Sequence, residues 1–142
     1  MASAVILYDE DCGFCRWCLA KLLAWDRRGS LRPVPLATPE ADRILGDMPR
    51  DQQMSSWHLL APDGRLYSAG LGFAPLFRLL PGGAPLAELA ARAPRLSERG
   101  YRWVADRRSS FGRLLSEGAK RRADRRIAAR RSHHVAAASG RR

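Results

Sequence analysis

Five apolar residues, Ala4 to Tyr8, run directly into Asp9-Glu10-Asp11-Cys12-Gly13-Phe14-Cys15, and this junction constrains the fold more than any other stretch. The apolar run is rich in β-formers and shows no polar alternation, so it predicts a strand buried on both faces. From Phe14 to about Arg28 the periodicity turns helical. Cys15, Cys18, Leu19, Leu22, Leu23 and Trp25 share one face; Arg16, Trp17, Ala20, Lys21, Ala24, Arg27 and Arg28 lie opposite. Gly29 is the expected stop. A Cys-x-x-Cys pair thus falls where a strand hands over to a helix. Unpaired amides and the dipole at a helix N-terminus stabilise a thiolate there.

With 142 residues, 46% of them apolar, the chain can bury one core. No apolar stretch reaches the ~18 residues of a membrane span. Ala4 to Tyr8 lacks a basic flank and meets three acids, unlike a signal peptide. A cytoplasmic location is therefore expected. Three cysteines within seven residues do not make a disulfide framework; they read as a redox or metal site. Charge is uneven. Met1 to Asp106 holds 13 Lys and Arg against 12 Asp and Glu, whereas Arg107 to Arg142 holds 12 against 2. That pattern predicts a near-neutral domain over residues 1–113 and a basic tail over 114–142, without an apolar stripe and read as mobile.

Between these ends, Leu31 to Leu36 predicts a short strand. Thr38-Pro39 predicts an N-cap and a helix to about Leu45. Gly46 to Ser55 reads as irregular. Trp57 to Ala61 and Leu66 to Ala69 form a predicted hairpin about Pro62-Asp63-Gly64-Arg65. Helices are expected over 74–80, 85–92 and 97–106, the first two separated by Pro81-Gly82-Gly83. The order β–α–β–α–β–β–α predicts an α/β sandwich with a mixed four-stranded sheet and an antiparallel edge.

Within the cysteine cluster, Cys12 and Cys15 stand one helical turn apart, about 4.5 Å along the axis. Cys12 at the helix mouth would attack; Cys15, one turn in and more buried, would resolve the mixed disulfide. Cys18, about 9 Å along the axis from Cys12, reads as a core thiol rather than a third redox partner. Asp11 is read as the helix cap and Arg16 as the cation offsetting the local acids. Asp9 is a candidate proton acceptor for the buried thiol, a role the residues leave open.

Tyr8-Asp9-x-x-Cys12-Gly13-Phe14-Cys15 resembles the signature of the DCC family of thioredoxin-like thiol–disulfide oxidoreductases. The likeness continues at Asp26-Arg27-Arg28-Gly29, at Asp63 to Ser68, and at Tyr101-Arg102-Trp103-Val104-Ala105 with Arg108. It covers about residues 4 to 113. The resemblance implies a thioredoxin-like fold with Asp9, Cys12 and Cys15 as signature residues, and supplies no substrate. Thioredoxins generally place a cis-proline just before the third strand, facing the active disulfide. Here Met54, Ser55 and Ser56 precede Trp57, so the chain departs from that pattern.

The expected activity is dithiol–disulfide exchange with no bound cofactor. A disulfide-bearing protein or a small thiol compound is the expected substrate, and a separate reductase or small thiol the expected electron source. Three other readings stand beside it. Cys12, Cys15 and Cys18 with His58 offer metal ligands, although a continuous helix spreads the three sulfurs instead of converging them. Asp9-Glu10-Asp11 after a strand matches the opening of a haloacid-dehalogenase-type phosphatase, but the downstream acidic pair is missing. Lys120-Arg121-Arg122, Arg125-Arg126, Arg130-Arg131 and Arg141-Arg142 could contact nucleic acid or an anionic surface electrostatically. His133-His134 in that tail reads as incidental, and His58 as a core or edge histidine. Phe14 and Trp17 are expected either to meet a substrate or to pack against residues 55–57.

Overall fold

A computed structural model describes residues 3–141. Strand β1 (Ala4–Tyr8) is buried along its whole length, as its unbroken apolar run requires. Ala4, Ile6 and Tyr8 point into one core with Leu19, Leu23, Leu76 and Leu80. Val5 and Leu7 point into a second core with Val34, Leu36, Ala41 and Leu45. Each fully buried Val, Leu or Ile contributes about 1.5–3 kcal/mol of transfer free energy, so β1 is stable only when covered on both sides.

The sheet has the order β2-β1-β3-β4. β2 (Leu31–Pro35) runs parallel to β1, with Ile6 opposite Pro33. β3 (His58–Leu60) is antiparallel to β1, and β4 (Leu66–Ser68) antiparallel to β3. Pro33 and Pro35 lack amide donors, which suits β2 to the sheet edge. The β3–β4 turn uses Gly64 at φ +85°, a left-handed conformation that favours glycine. This βαβ unit followed by an antiparallel hairpin is an α/β architecture compatible with the thioredoxin-like fold.

Helix α1 (Gly13–Trp25) packs beneath the sheet. It ends earlier than the expected Arg28: Asp26 caps it, and Gly29, at φ +67°, turns the chain into β2. α2 (Pro39–Leu45) begins as expected, with Thr38 Oγ1 accepting from Ala41 N at 3.3 Å and proline following the cap. The segment after Gly46 is not wholly irregular. α3 (Arg50–Ser55) forms behind Pro49, and its single buried residue, Gln53, donates to Met48 O at 2.7 Å. One polar buried residue leaves no hydrophobic period to read. α4 (Phe73–Leu79), α5 (Ala84–Arg92) and α6 (Pro94–Asp106) follow where helices are expected. α7 (Arg108–Leu114), not expected, is anchored by Phe111, whose ring lies 5.1 Å from that of Phe14.

The larger correction concerns the basic segment. Instead of a mobile tail, residues Glu117–Ser139 form a 23-residue helix, α8, packed on α1 and β2. Ser116 caps it, its Oγ accepting from Ala119 N at 3.1 Å. Only Ala123 and Ile127 are buried, so no apolar stripe announces it. Polar side chains complete the contact. Arg130 Nη1 donates to Asp26 Oδ2 at 2.6 Å and to Leu31 O at 3.2 Å; Nη2 donates to Leu23 O and Asp26 O, both at 3.0 Å. The Asp26 carboxylate is fully buried and also accepts from the amides of Ser30 and Leu31. His134 Nε2 lies 3.2 Å from Leu31 O. Ala20, expected on the open face of α1, is therefore buried. Arg142, from the last basic cluster, lies outside the described residues.

Removing one partner of a buried, hydrogen-bonded pair strands the other charge. Arg130→Met should lower the unfolding free energy by about 3 kcal/mol, read from the urea midpoint at constant slope. A loss below about 1 kcal/mol would mean the pair does not hold α8 in place.

Candidate dithiol site

The three-residue step from β1 into α1 delivers Cys12 to the mouth of the helix. Cys12, not Asp11, is the N-cap: its backbone is extended (φ −93°, ψ 107°) and its Sγ accepts from Cys15 N at 3.3 Å. Asp11 is exposed, and its amide donates to Asp9 Oδ1 at 3.0 Å. The sulfur thus holds the place a Ser or Asp oxygen usually takes. No acid lies in the first turn of α1, so the positive end of the helix is not neutralised by its own residues.

The two thiols differ sharply. A hydrogen bond from the Cys15 thiol, with the Cys15 amide and the Arg108 guanidinium, lowers the Cys12 pKa to about 6 against the opposing effects of burial and Asp9. Cys15 is pushed well up by donating to Cys12 and by burial. Cys18 is raised to about 11, chiefly by burial. These shifts favour the negative charge on Cys12 and the proton on Cys15. Cys18 is only half-buried and lines a cavity, so it is less enclosed than a core thiol.

Asp9 joins the pair at the end of β1. Its Oδ2 lies 3.8 Å from Arg108 Nη1. The cation beside the thiols is thus Arg108 from α7 rather than Arg16. Arg16 turns away: its Nη1 donates to Glu10 O at 3.0 Å, and its Nε lies 3.2 Å from Asp124 Oδ1 in an ion pair not aligned as a hydrogen bond. Arg108 entered the sequence reading only through the family resemblance. A residue about a hundred positions downstream has no local pattern tying it to Cys12.

Two hollows meet here. A cleft of about 340 Å³ opens over Cys12, bordered by Asp9, Asp11, Arg108, Arg113 and Lys120. Lys120 belongs to α8, so the basic segment supplies a wall of the site. Behind it lies a mainly apolar cavity of about 730 Å³, bordered by Cys15, Cys18, Trp57 and Tyr101. Ser56 is also on its wall. Phe14 stacks on Trp17 at 6.1 Å, and the Phe111 ring of α7 lies tilted against Phe14 at 5.1 Å; Phe14 and Trp17 both border the cavity that Ser56 and Trp57 also line.

His58 takes no part. Its Nδ1 lies 2.6 Å from Ser68 Oγ and its Nε2 2.9 Å from Gln53 O, and burial lowers its pKa. Both ring nitrogens are occupied, so it does not complete a ligand set with the cysteines. Among the described residues no three His, Cys, Asp or Glu side chains are grouped to hold a metal ion. No described helix is long and apolar enough to cross a membrane.

A cysteine at the helix cap, a second cysteine thiol one turn on, and a βαβ–hairpin sheet give the arrangement of a thioredoxin-like dithiol protein. A family model for DCC1-like thiol-disulfide oxidoreductase matches residues 6–114, most of the chain, and the protein belongs to that family. Searches among curated proteins and among solved structures each returned no match.

Alkylation follows the thiolate, so its rate rises with pH through the Cys12 pKa. Iodoacetamide should modify Cys12 half-maximally near pH 6. Arg108→Gln removes a charge that favours the thiolate and should move that midpoint up by about one unit. A wild-type midpoint near 8.5, that of an ordinary thiol, would contradict the geometry.

Proposed function

We propose that the protein exchanges dithiol for disulfide through Cys12 and Cys15. The Cys12 thiolate attacks one sulfur of the substrate disulfide, breaking the S–S bond and releasing one thiolate. Cys15 then gives up its proton and attacks Cys12 Sγ. The second substrate thiolate leaves, and the protein holds a Cys12–Cys15 disulfide. A separate reductase or small thiol returns two electrons. The chemistry calls for no bound cofactor and suits a reducing compartment such as the cytoplasm.

The observation that carries this reading is the 3.3 Å contact from Cys15 N to Cys12 Sγ, which couples the attacking sulfur to the helix amides and to its resolving partner. Asp9 is the proposed proton acceptor for Cys15. It borders the same cavity and is held by Arg108 in an ion pair. General base assistance of this kind contributes about 10²–10⁴ in rate.

A redox titration of wild type beside Cys12→Ser, Cys15→Ser and Cys18→Ser tests the assignment. Cys12→Ser should abolish disulfide reduction, Cys15→Ser should accumulate a mixed disulfide at Cys12, and Cys18→Ser should keep a two-electron couple. Asp9→Asn should slow resolution of the mixed disulfide by at least tenfold. Retention of full activity in Cys12→Ser would refute the mechanism.

A further inference from the structure

Three residues, Asp9, Phe14 and Arg108, border both the cleft over Cys12 and the apolar cavity behind it. The cavity therefore adjoins the cleft in which a disulfide would engage Cys12. At about 730 Å³ that space lies within the range of small-molecule pockets, and exceeds what one protein side chain fills. One wall is a connected set of rings: Phe73 lies 5.7 Å from Trp57, 5.9 Å from Phe77 and 6.2 Å from Tyr101. A polar substrate would leave that wall unfilled.

The charges around the two hollows are mostly positive. Lys21 and Arg108 border the cavity, and Arg113 and Lys120 the cleft, against Asp9 and Asp11. Asp9 is already paired with Arg108, and Lys120 with Glu117 at 3.3 Å. Arg113 has no ion pair among the described residues, and Lys21 Nζ stands 5.3 Å from the Trp17 ring centroid. An acidic group on the substrate would find cations at the rim.

We propose that this cavity seats the substrate, a small organic disulfide whose halves are bulky, apolar and acid-substituted; the inference rests on the dithiol reading above. The electrons balance as in that reading. Cys12 attacks one sulfur and releases the first aryl or alkyl thiolate, Cys15 displaces the second, and the protein is left as the Cys12–Cys15 disulfide. An external dithiol regenerates it.

The face of α6 turned to the cavity carries Ser97, Gly100, Tyr101, Val104 and Ala105, spaced as one helical stripe. A Cβ at Gly100 would meet no atom within 4 Å. Gly100→Leu therefore adds volume to this face without a clash at Cβ, and Ala105→Leu is a second route. Reduced wild type should release two thiolates per protein from dithiobis(nitrobenzoate) in its fast phase. Each filling variant, checked for an unchanged thermal melt, should slow that phase about tenfold more than it slows reaction with hydroxyethyl disulfide. Normal Cys12 alkylation with no change in selectivity in either variant would overturn this inference alone. Slow alkylation of Cys12, with no 12–15 linkage, would overturn the dithiol reading and this inference with it. A preference confined to phenylalanine-flanked peptide disulfides would also overturn it.

Discussion

Strand β1 has no polar face, and most of the architecture follows from that. All five of its residues are buried, so each side of the sheet must be covered at its centre. α1, α4 and Ile127 of α8 close one side, and α2 closes the other. Once those layers are fixed, the C-terminal end of β1 has one outlet, the three-residue step that sets Cys12 at the mouth of α1. The Cys12 sulfur is positioned by the burial of a strand that carries no chemistry itself. This is the α/β rule that function gathers at the carboxyl ends of central strands.

The two thiols then diverge through placement alone. Gly13 and Phe14 bring no charge between them. Cys12 stands where helix amides point outward and accepts one of them; Cys15 stands a turn deeper, beside an apolar hollow. A second hydrogen bond, from the Cys15 thiol to Cys12 Sγ, favours charge on the first and the proton on the second. Asp9 and Arg108 oppose one another next to the pair, so the local field is a balance drawn from β1 and α7. An attacking thiol with a pKa close to ambient pH is the efficient one in exchange chemistry, since stronger depression weakens the nucleophile.

Features carried by hydrophobic period or turn chemistry were legible in the chain. The buried run of β1, the Thr38-Pro39 entry to α2, the Asp63-Gly64 hairpin and the placing of the Cys-x-x-Cys pair at a strand–helix junction are all local. What escaped was non-local or polar. α8 buries only Ala123 and Ile127 and is held by Arg130, His134 and Asp124, residue types that read as solvated surface. Missing it also misassigned Ala20, because α1 has two covered flanks instead of one. Arg108, Arg113 and Lys120 border the cleft over Cys12 from α7 and α8, a juxtaposition only tertiary structure creates. Cys12 displaced Asp11 as the cap because the Asp11 amide turns back to Asp9, leaving the sulfur to meet the amide of Cys15.

The Arg130 anchor shifts where this unit of fold ends. The family likeness stops at residue 114, yet the carbonyls of Leu23, Asp26 and Leu31 find their donors sixteen and more positions beyond it. A segment excised at the likeness boundary would open one flank of α1 and leave the buried carboxylate without its counter-ion. Anyone transplanting this module onto another chain has to carry the long arginine-rich helix as part of the cargo.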